Sequence, residues 1–374
     1  MTEAAADPGG ISLALAGGGT GGHLFPGLAV AELALASGLA RDVVFFGAER
    51  GIESRLVPAS GYELVAEPVT GLVGGGPRAI VSSLARLARA VVNTRGELRR
   101  RGVDVLVGLG GYASAPAVIA ALLARVPVVL LEQNREPGLS NRVLARLARA
   151  VCTSFEESAR HFPSGRSHFT GNPIRPALER GGDDARRDTL LVFGGSAGAL
   201  SLNRAVSAAL ARLADEPGAA ILPRIVHQSG ARGLDEVRAA YERTCTAHPG
   251  LDVEVVEFID DMAAAYGRAM LAVCRSGATS IAELIATATP SVLLPYPHAA
   301  GDHQSANARA LEGAGAAVVV RDDDDAADRL VEVLGRLLRS RDQLDSISSK
   351  VAVLRRPGAT ERVLDVVRAV LARQ

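Results

Sequence analysis

Ile11-Ser12-Leu13-Ala14-Leu15-Ala16-Gly17-Gly18-Gly19-Thr20-Gly21-Gly22-His23 is a short apolar run that breaks into five glycines among six residues. Such a run reads as a strand over 11–16 that bends into a helix, expected over 26–36 and stopped near Gly38. Glycine lets backbone N–H groups approach a phosphate that a Cβ would fend off, and a helix start adds a favourable field. The bend also fits GxGxxG through Gly17, Gly19 and Gly22, so a dinucleotide has to be weighed. That fingerprint needs an acid at the end of the next strand. The next strand, over 43–46, ends in Phe46-Gly47, and Glu49 comes too late. The bend supports phosphate binding and not NAD.

The same device returns twice. Gly108-Leu109-Gly110-Gly111-Tyr112-Ala113-Ser114 follows an apolar run over 103–107, and Gly194-Gly195-Ser196-Ala197-Gly198 follows one over 190–193. Further strands are expected over 126–131, 253–258, 271–274, 292–294 and 317–320, separated by Ala/Leu/Arg-rich helical patterns. Continuous apolar strands alternating with helices imply parallel sheets covered on both faces. The fold class is therefore α/β, with two Rossmann-like, doubly wound parallel-sheet domains. They meet near Gly171-Asn172-Pro173-Ile174-Arg175-Pro176, whose prolines disfavour helix before them, giving domains of 1–175 and 176–355. Ligands of such sheets collect at the carboxyl ends of the strands, and a central cleft faced by both domains is expected.

Composition excludes several classes. The 374 residues are 48% hydrophobic and 22% charged, which suits two packed domains. Basic and acidic residues balance at 41 each, and aromatics make only 3%, so neither a basic field nor stacking platforms point to nucleic acid. Lys350 is the sole lysine, which removes a Walker-type loop and leaves no credible Schiff-base lysine. Cys152, Cys245 and Cys274 lack metal or disulfide spacing. The acidic start, broken by Pro8-Gly9-Gly10, reads as no secretory signal, and the longest apolar stretch, 113–124, falls short of the about 20 residues that cross a bilayer. Charge is uneven: residues 1–175 hold 18 Arg against 14 acids, and the remainder 23 basic residues against 27 acids. Arg78–Arg101 carries seven of those arginines around an apolar stretch, and Arg142, Arg146 and Arg149 have the spacing of one helix face. Basic apolar helices suit an anionic membrane surface, although a solvated helix face has the same pattern.

Among single residues, His23 sits where the first bend becomes helix. It reads as a general base, or else as a phosphate donor or helix cap. Glu132-Gln133-Asn134 ends the 126–131 strand and brings three polar groups to a strand end. Glu283, near the start of a helix expected from about Thr279, can accept both hydroxyls of a ribose or serve as a favourable N-terminal charge. Asp302–Asn307 opens another helix with amides suited to sugar hydroxyls. The acid run Asp322–Asp325 and the pair Asp260-Asp261 read as a solvated turn and an N-cap rather than as metal ligands.

Together the motifs GGGTGGHLFPGLAVA (17–31), GLGGYASAP (108–116), LEQNREPGLSNR (131–142), GNPIR (171–175), GGSAGALSLN (194–203), EFIDDMAAAY (257–266), CRSGATSIAE (274–283) and DHQSANA (302–308) occur in order over nearly the whole chain. In that order they resemble the MurG family, the undecaprenyldiphospho-muramoylpentapeptide β-N-acetylglucosaminyltransferases of bacterial peptidoglycan synthesis. The resemblance implies a GT-B fold and inverting transfer of GlcNAc from UDP-GlcNAc to the 4-hydroxyl of the muramoyl sugar of lipid I, forming lipid II. It implies peripheral attachment to the anionic cytoplasmic face of the cell membrane, and neither cofactor nor metal. By the same resemblance Ile259 meets the uracil, Glu283 the ribose, and Ser196 with Ala278, Thr279 and Ser280 surrounds the diphosphate, with Arg175 nearby and with Ile281 and Ala282 also in the UDP-GlcNAc site. Gln304 and Asn134 contact the donor sugar, helped by Thr20, Gly21 and Gly22. Gly18, Gly19, Gly110, Gly111 and Tyr112 face the acceptor diphosphate, with His23 the favoured base. Arg275, Asn203 and Asn307 support the site, and the C-terminal helix, about 356–374, returns to the first domain. Leu131 replaces the family's usual His, Ala197 its usual Gln, and Thr279-Ser280 its usual Leu-Thr. The rival readings are a GT-B transferase with another lipid acceptor, a UDP-GlcNAc 2-epimerase, and an inactive sugar-nucleotide sensor.

Overall fold

The computed structural model describes residues 9–49, 51–67, 77–179, 187–196, 198–216 and 222–373. The opening Met1–Asp7, most of the charged stretch 180–188 and Ala197 lie outside the described residues. The chain divides into two compact units, one running to Arg175 and resuming at Gly358, the other spanning Pro176–Pro357.

The first unit is a sheet of seven parallel strands, β1 (Ile11–Gly17), β2 (Ala40–Ala48), β3 (Glu63–Glu67), β4 (Val105–Gly110), β5 (Val128–Glu132), β6 (Ala150–Thr153) and β7 (Ser167–Phe169), in the order 3-2-1-4-5-6-7. Its helices are α1 (Gly21–Ala36), α2 (Glu53–Ala59), α3 (Pro77–Arg100), α4 (Ala115–Ala124) and α5 (Leu139–Leu144). The second unit has six strands, β8 (Thr189–Phe193), β9 (Arg224–Gln228), β10 (Val253–Val256), β11 (Ala269–Cys274), β12 (Ser291–Leu293) and β13 (Val318–Val319), in the order 10-9-8-11-12-13, all parallel. Its helices are α6 (Pro176–Glu179), α7 (Leu200–Asp215), α8 (Leu234–Ala247), α9 (Met262–Arg268), α10 (Ala278–Thr287), α11 (His303–Gly313), α12 (Ala326–Leu338) and α13 (Arg341–Val353). Last comes α14 (Ala359–Leu371), which packs on α1, β5 and β6 of the first unit.

Both faces of the first sheet are buried, which is why its central strands read as unbroken apolar runs. Leu13 and Leu15 of β1 face a core shared with Leu24, Val30 and Ala34 of α1 and Val363, Leu364 and Val367 of α14. Ala14 and Ala16, on the opposite face, pack with Val91 and Leu98 of α3 and Val118 and Ala121 of α4. In the second sheet Leu190 and Val192 meet α7, α8 and α12 through Val206, Leu210, Val237 and Leu334. Order reverses between β1 and β4 in one sheet and between β8 and β11 in the other. Those switch points are where a doubly wound sheet opens a crevice for ligand.

Several boundaries differ from the sequence reading. Helix α1 begins at Gly21, five residues before the expected Pro26, because the bend sets the helix start and Pro26, whose ring fixes a helix-compatible φ, is carried inside it. Strand β4 runs on to Gly110, so two of the glycines assigned to the Gly108–Ser114 turn belong to the strand and the turn begins at Gly111. Strands β3, β6, β7 and β9 were not expected. They are three to five residues long, and in β7 and β9 polar or charged residues interrupt the apolar pattern. Arg142, Arg146 and Arg149 do not share a helix face, since α5 stops at Leu144 and Arg142 is held by Glu136 (3.2 Å) and the Pro137 carbonyl (3.0 Å). Among the described residues no helix is long and apolar enough to cross a membrane.

Candidate active site

In the first unit the site grows from the carboxyl ends of three adjacent strands, β1, β4 and β5. Gly18 and Gly19 leave β1 with φ of 153° and 81°, conformations that an L side chain resists. Thr20 occupies the N-cap position of α1 in an extended conformation, yet its hydroxyl caps no backbone N–H. It pairs instead with Nδ1 of His23 at 3.0 Å, so the threonine orients the imidazole. The ring lies over the next turn: a Cβ on Gly110 would stand 3.0 Å from its Cδ2, and one on Gly111 3.5 Å from its Nδ1. Tyr112, half exposed, opens the following short helix and comes within 3.4 Å of the Cβ position of Gly19. Gly18, Gly19, Thr20, Gly21, Gly22, His23, Gly110, Gly111 and Tyr112 are thus brought to one edge of one sheet.

Two buried carboxylates hold this edge. Glu53 of α2 is fully buried and accepts the N–H of Gly19 at 2.8 Å and that of Ala48 at 3.0 Å. A Cβ on Gly18 or Gly51 would come within 2.2 Å of its carboxyl group, so these glycines make the space that Glu53 fills. Glu132, at the end of β5, accepts from the N–H of Asn134 (2.9 Å) and Gly138 (3.2 Å) and from Asn141 Nδ2 (2.9 Å). Burial pushes its carboxyl above the usual range, and the bonds from Asn134, Asn141 and Gly138 pull the other way. Gln133 donates to the Leu109 carbonyl at 2.8 Å, and its Oε1 and the His23 Nε2 each lie 3.4 Å from the Cβ position of Gly110. Leu131, where the resemblance leads one to expect His, is part of the hydrophobic core. Arg175 stacks its guanidinium 4.6 Å over the ring of Phe25, on α1.

The second unit repeats the arrangement around β8 and β11. Gly194, Gly195 and Ser196 leave β8, and a Cβ on Gly198 (φ 73°) would sit 2.2 Å from the Ser229 carbonyl oxygen, so the turn closes against β9 only with glycine there. After β11, Gly277 precedes α10 and supplies no capping side chain, and Ala278, Thr279 and Ser280 form the first turn, at the positive end of the helix. Glu283 stands in the second turn of α10 rather than at its tip; it is buried, and Tyr266 donates its hydroxyl proton to Oε2 at 3.2 Å. Gln304, second in α11, accepts the Tyr296 N–H on Oε1 at 2.9 Å, which leaves its Nε2 as the donor end. Asn307 donates to the Ser276 carbonyl (3.2 Å), tying α11 to the turn that precedes α10. Ile259, past β10, donates its N–H to Gln228 at 3.2 Å.

The acid run does not behave as a simple solvated turn. Asp322 is buried and pairs with the equally buried Arg275 at 2.7 Å, and Arg275 also donates to the Leu294 carbonyl and to Ser201. Asp261 is the N-cap of α9, accepting from Ala264 at 2.9 Å. Among the described residues no group of three or more His, Cys, Asp or Glu could hold a metal ion.

The glycosyltransferase family 28 N-terminal domain matches residues 13–153 and the corresponding C-terminal domain matches residues 189–363. A UDP-N-acetylglucosamine–N-acetylmuramyl-(pentapeptide) pyrophosphoryl-undecaprenol N-acetylglucosamine transferase of Myxococcus xanthus is 43% identical over 95% of this chain and 92% of its own. The transferase of the same name from Syntrophotalea carbinolica is 44% identical over 96% and 99%. The crystal structure of Acinetobacter baumannii MurG superposes with a TM-score of 0.74 at 29% identity, covering 96% of this chain and 99% of that one. The chain belongs to the MurG family of glycosyltransferases.

Membership of the MurG family agrees with the two parallel sheets and their glycine-lined switch points. It does not by itself explain the contacts of Glu53, Gln133, Gln228, Tyr266 or Asp322; the motif reading gives Glu53, Gln228 and Tyr266 no role, and takes Gln133 only as a polar strand end and Asp322 as part of a solvated turn. Gly47 and Gly51 around Glu53 were the one signal available in the sequence. The others are held by partners at least 17 positions away, such as Gln133 by Leu109 and Asp322 by Arg275 and Ser201, which no local pattern reveals.

Proposed function

We propose that this MurG-family enzyme transfers GlcNAc from UDP-GlcNAc to the 4-hydroxyl of the muramoyl sugar of lipid I, with inversion, to form lipid II. The observation that carries the reading is the pair of switch points, each with glycine turns and helix starts at the carboxyl ends of the strands, where a diphosphate fits. The second unit takes the donor: Ile259 meets the uracil, Glu283 the ribose diol, and the Gly194–Ser196 turn with the start of α10 the diphosphate, with Gln304 presenting its Nε2 to the sugar. The first unit takes the acceptor diphosphate on Gly18, Gly19, Gly110, Gly111 and Tyr112.

In the reaction the acceptor oxygen bonds to the anomeric carbon while the bond from that carbon to the UDP oxygen breaks. His23, held at Nδ1 by Thr20, accepts the hydroxyl proton. Charge gathers on the departing UDP as the sugar becomes oxocarbenium-like, and preorganised N–H groups stabilise it without having to reorient. The acceptor is a membrane lipid, and the exposed Leu139, Val143 and Leu147, interspersed with Arg142 and Arg146, form an apolar and basic surface suited to an anionic inner leaflet. The enzyme would then work at the cytoplasmic face of the membrane.

UDP release from UDP-GlcNAc, measured with and without lipid I, tests this. Release that depends on lipid I is expected. UDP-ManNAc formed without acceptor would replace the reading by an epimerase, diacylglycerol serving in place of lipid I by another lipid transferase, and UDP-GlcNAc binding without any release by a sensor.

A further inference from the structure

Strand β9 ends in His227 and Gln228 and is followed by Ser229, three consecutive buried polar residues. The amide of Gln228 donates from Nε2 to the Gly195 carbonyl at 2.9 Å and accepts on Oε1 from the Ile259 N–H at 3.2 Å. One planar group therefore joins the glycine turn after β8 to the turn after β10. We propose that Gln228 is a positioning residue of the donor site, coupling the backbone that reads the base to the turn that holds the diphosphate. The inference rests on the assignment of those two turns to UDP given above.

The physical reason lies in the polarity of a glycine turn. Such a turn attracts an anion only when its N–H groups face the ligand and its carbonyls face away. The Gly195 carbonyl is drawn down twice, by Gln228 and by the Gly198 N–H at 3.0 Å. A side-chain amide donates to a carbonyl and accepts from an N–H with a single planar group. Its orientation is set, because the end facing Gly195 must carry the hydrogens. The backbone on either side is clamped as well. His227 bonds Asn203 Oδ1 through Nε2 at 3.2 Å and the Tyr241 hydroxyl through Nδ1 at 3.1 Å, and Asn203 returns a bond to the Ser229 carbonyl at 2.8 Å. Gln228 thus has little freedom to serve one turn without the other.

Calorimetric titration of the full-length enzyme with UDP and with uridine, beside steady-state kinetics, tests the proposal on Gln228→Met and Gln228→Glu, each checked for an unchanged melting transition. Met keeps the shape and loses both bonds. Its UDP Kd and UDP-GlcNAc KM should rise about tenfold, as two neutral hydrogen bonds predict. Its uridine affinity should fall too, with the KM for lipid I unmoved. Glu keeps the acceptor for Ile259 and turns an oxygen on the Gly195 carbonyl, so UDP should weaken while uridine holds. UDP binding by the Met variant equal to wild type would overturn the proposal. So would a rise in the lipid I KM matching the loss of UDP, which is general damage. A wild-type enzyme that binds no UDP would instead remove the donor reading itself, a result visible before any variant is made.

Discussion

In the proposed reaction His23 carries the heaviest chemical load of any single residue, and its surroundings make that role testable. Thr20 holds one ring nitrogen, and the bare backbone of Gly110 and Gly111 lets the ring lie close to the turn. His23→Ala should lower kcat by about 10²–10⁴ if the imidazole takes the proton; a loss of tenfold or less in steady-state assays would leave it a phosphate contact. Glu283→Ala should raise the KM for UDP-GlcNAc by an amount equivalent to about 1.5–3 kcal/mol, the worth of hydrogen bonds to a charged group. An unchanged donor KM would take Glu283 out of the site. His227 gives a prediction in pH. Burial depresses its pKa from the ordinary 6.5 to about 3, so the folded protein keeps it neutral where the unfolded chain would protonate it. Its contribution to stability is complete above about pH 6.5 and is lost as pH falls toward 3, with a slope of up to about 1.4 kcal/mol per pH unit. Urea unfolding of His227→Gln across that range should show the slope reduced.

At the level of elements, α14 is the instructive case. It follows the second unit in sequence but supplies Val363, Leu364 and Val367, all fully buried or nearly so, to the core beneath β1 and α1. Leu364→Ala should cost about 2–5 kcal/mol, the usual range for emptying a buried leucine site. The loss should appear as faster amide exchange in β1, β5 and β6, with β8 and β11 unaffected. Exchange rising equally in both sheets would show that the two units unfold as one. The glycine turns work at this level too. Each is a strand end and a helix start joined by backbone that comes too close to its neighbour for a Cβ, as at Gly198 against Ser229.

For the whole molecule, the uneven charge and the exposed apolar side chains of α5 and the turn after it argue for work at a lipid surface. Replacing Leu139, Val143 and Leu147 by Ser should reduce sedimentation with anionic vesicles severalfold, since each buried methylene contributes about 0.8 kcal/mol. Activity on a soluble acceptor analogue should stay near wild type. Equal partitioning of the variant would move the docking surface elsewhere, with the arginines of α3 the next residues to reverse in charge.

The local sequence was enough for the alternation of apolar strands with helices, the restart of that plan near residue 190, and the glycine bends, because strand period, glycine conformation and strand-to-helix order are short-range properties. The candidates His23, Glu283 and Gln304 are proposed for the same reason, lying within a few positions of a bend. Tertiary structure alone decided which strands are neighbours and which buried groups hold the bends. Glu53 reaches Gly19 across 34 positions, and Arg275 finds Asp322 across 47. Those pairings exist because parallel strands bring distant strand ends together, and a buried carboxylate or guanidinium persists only where such a partner offsets its lost hydration.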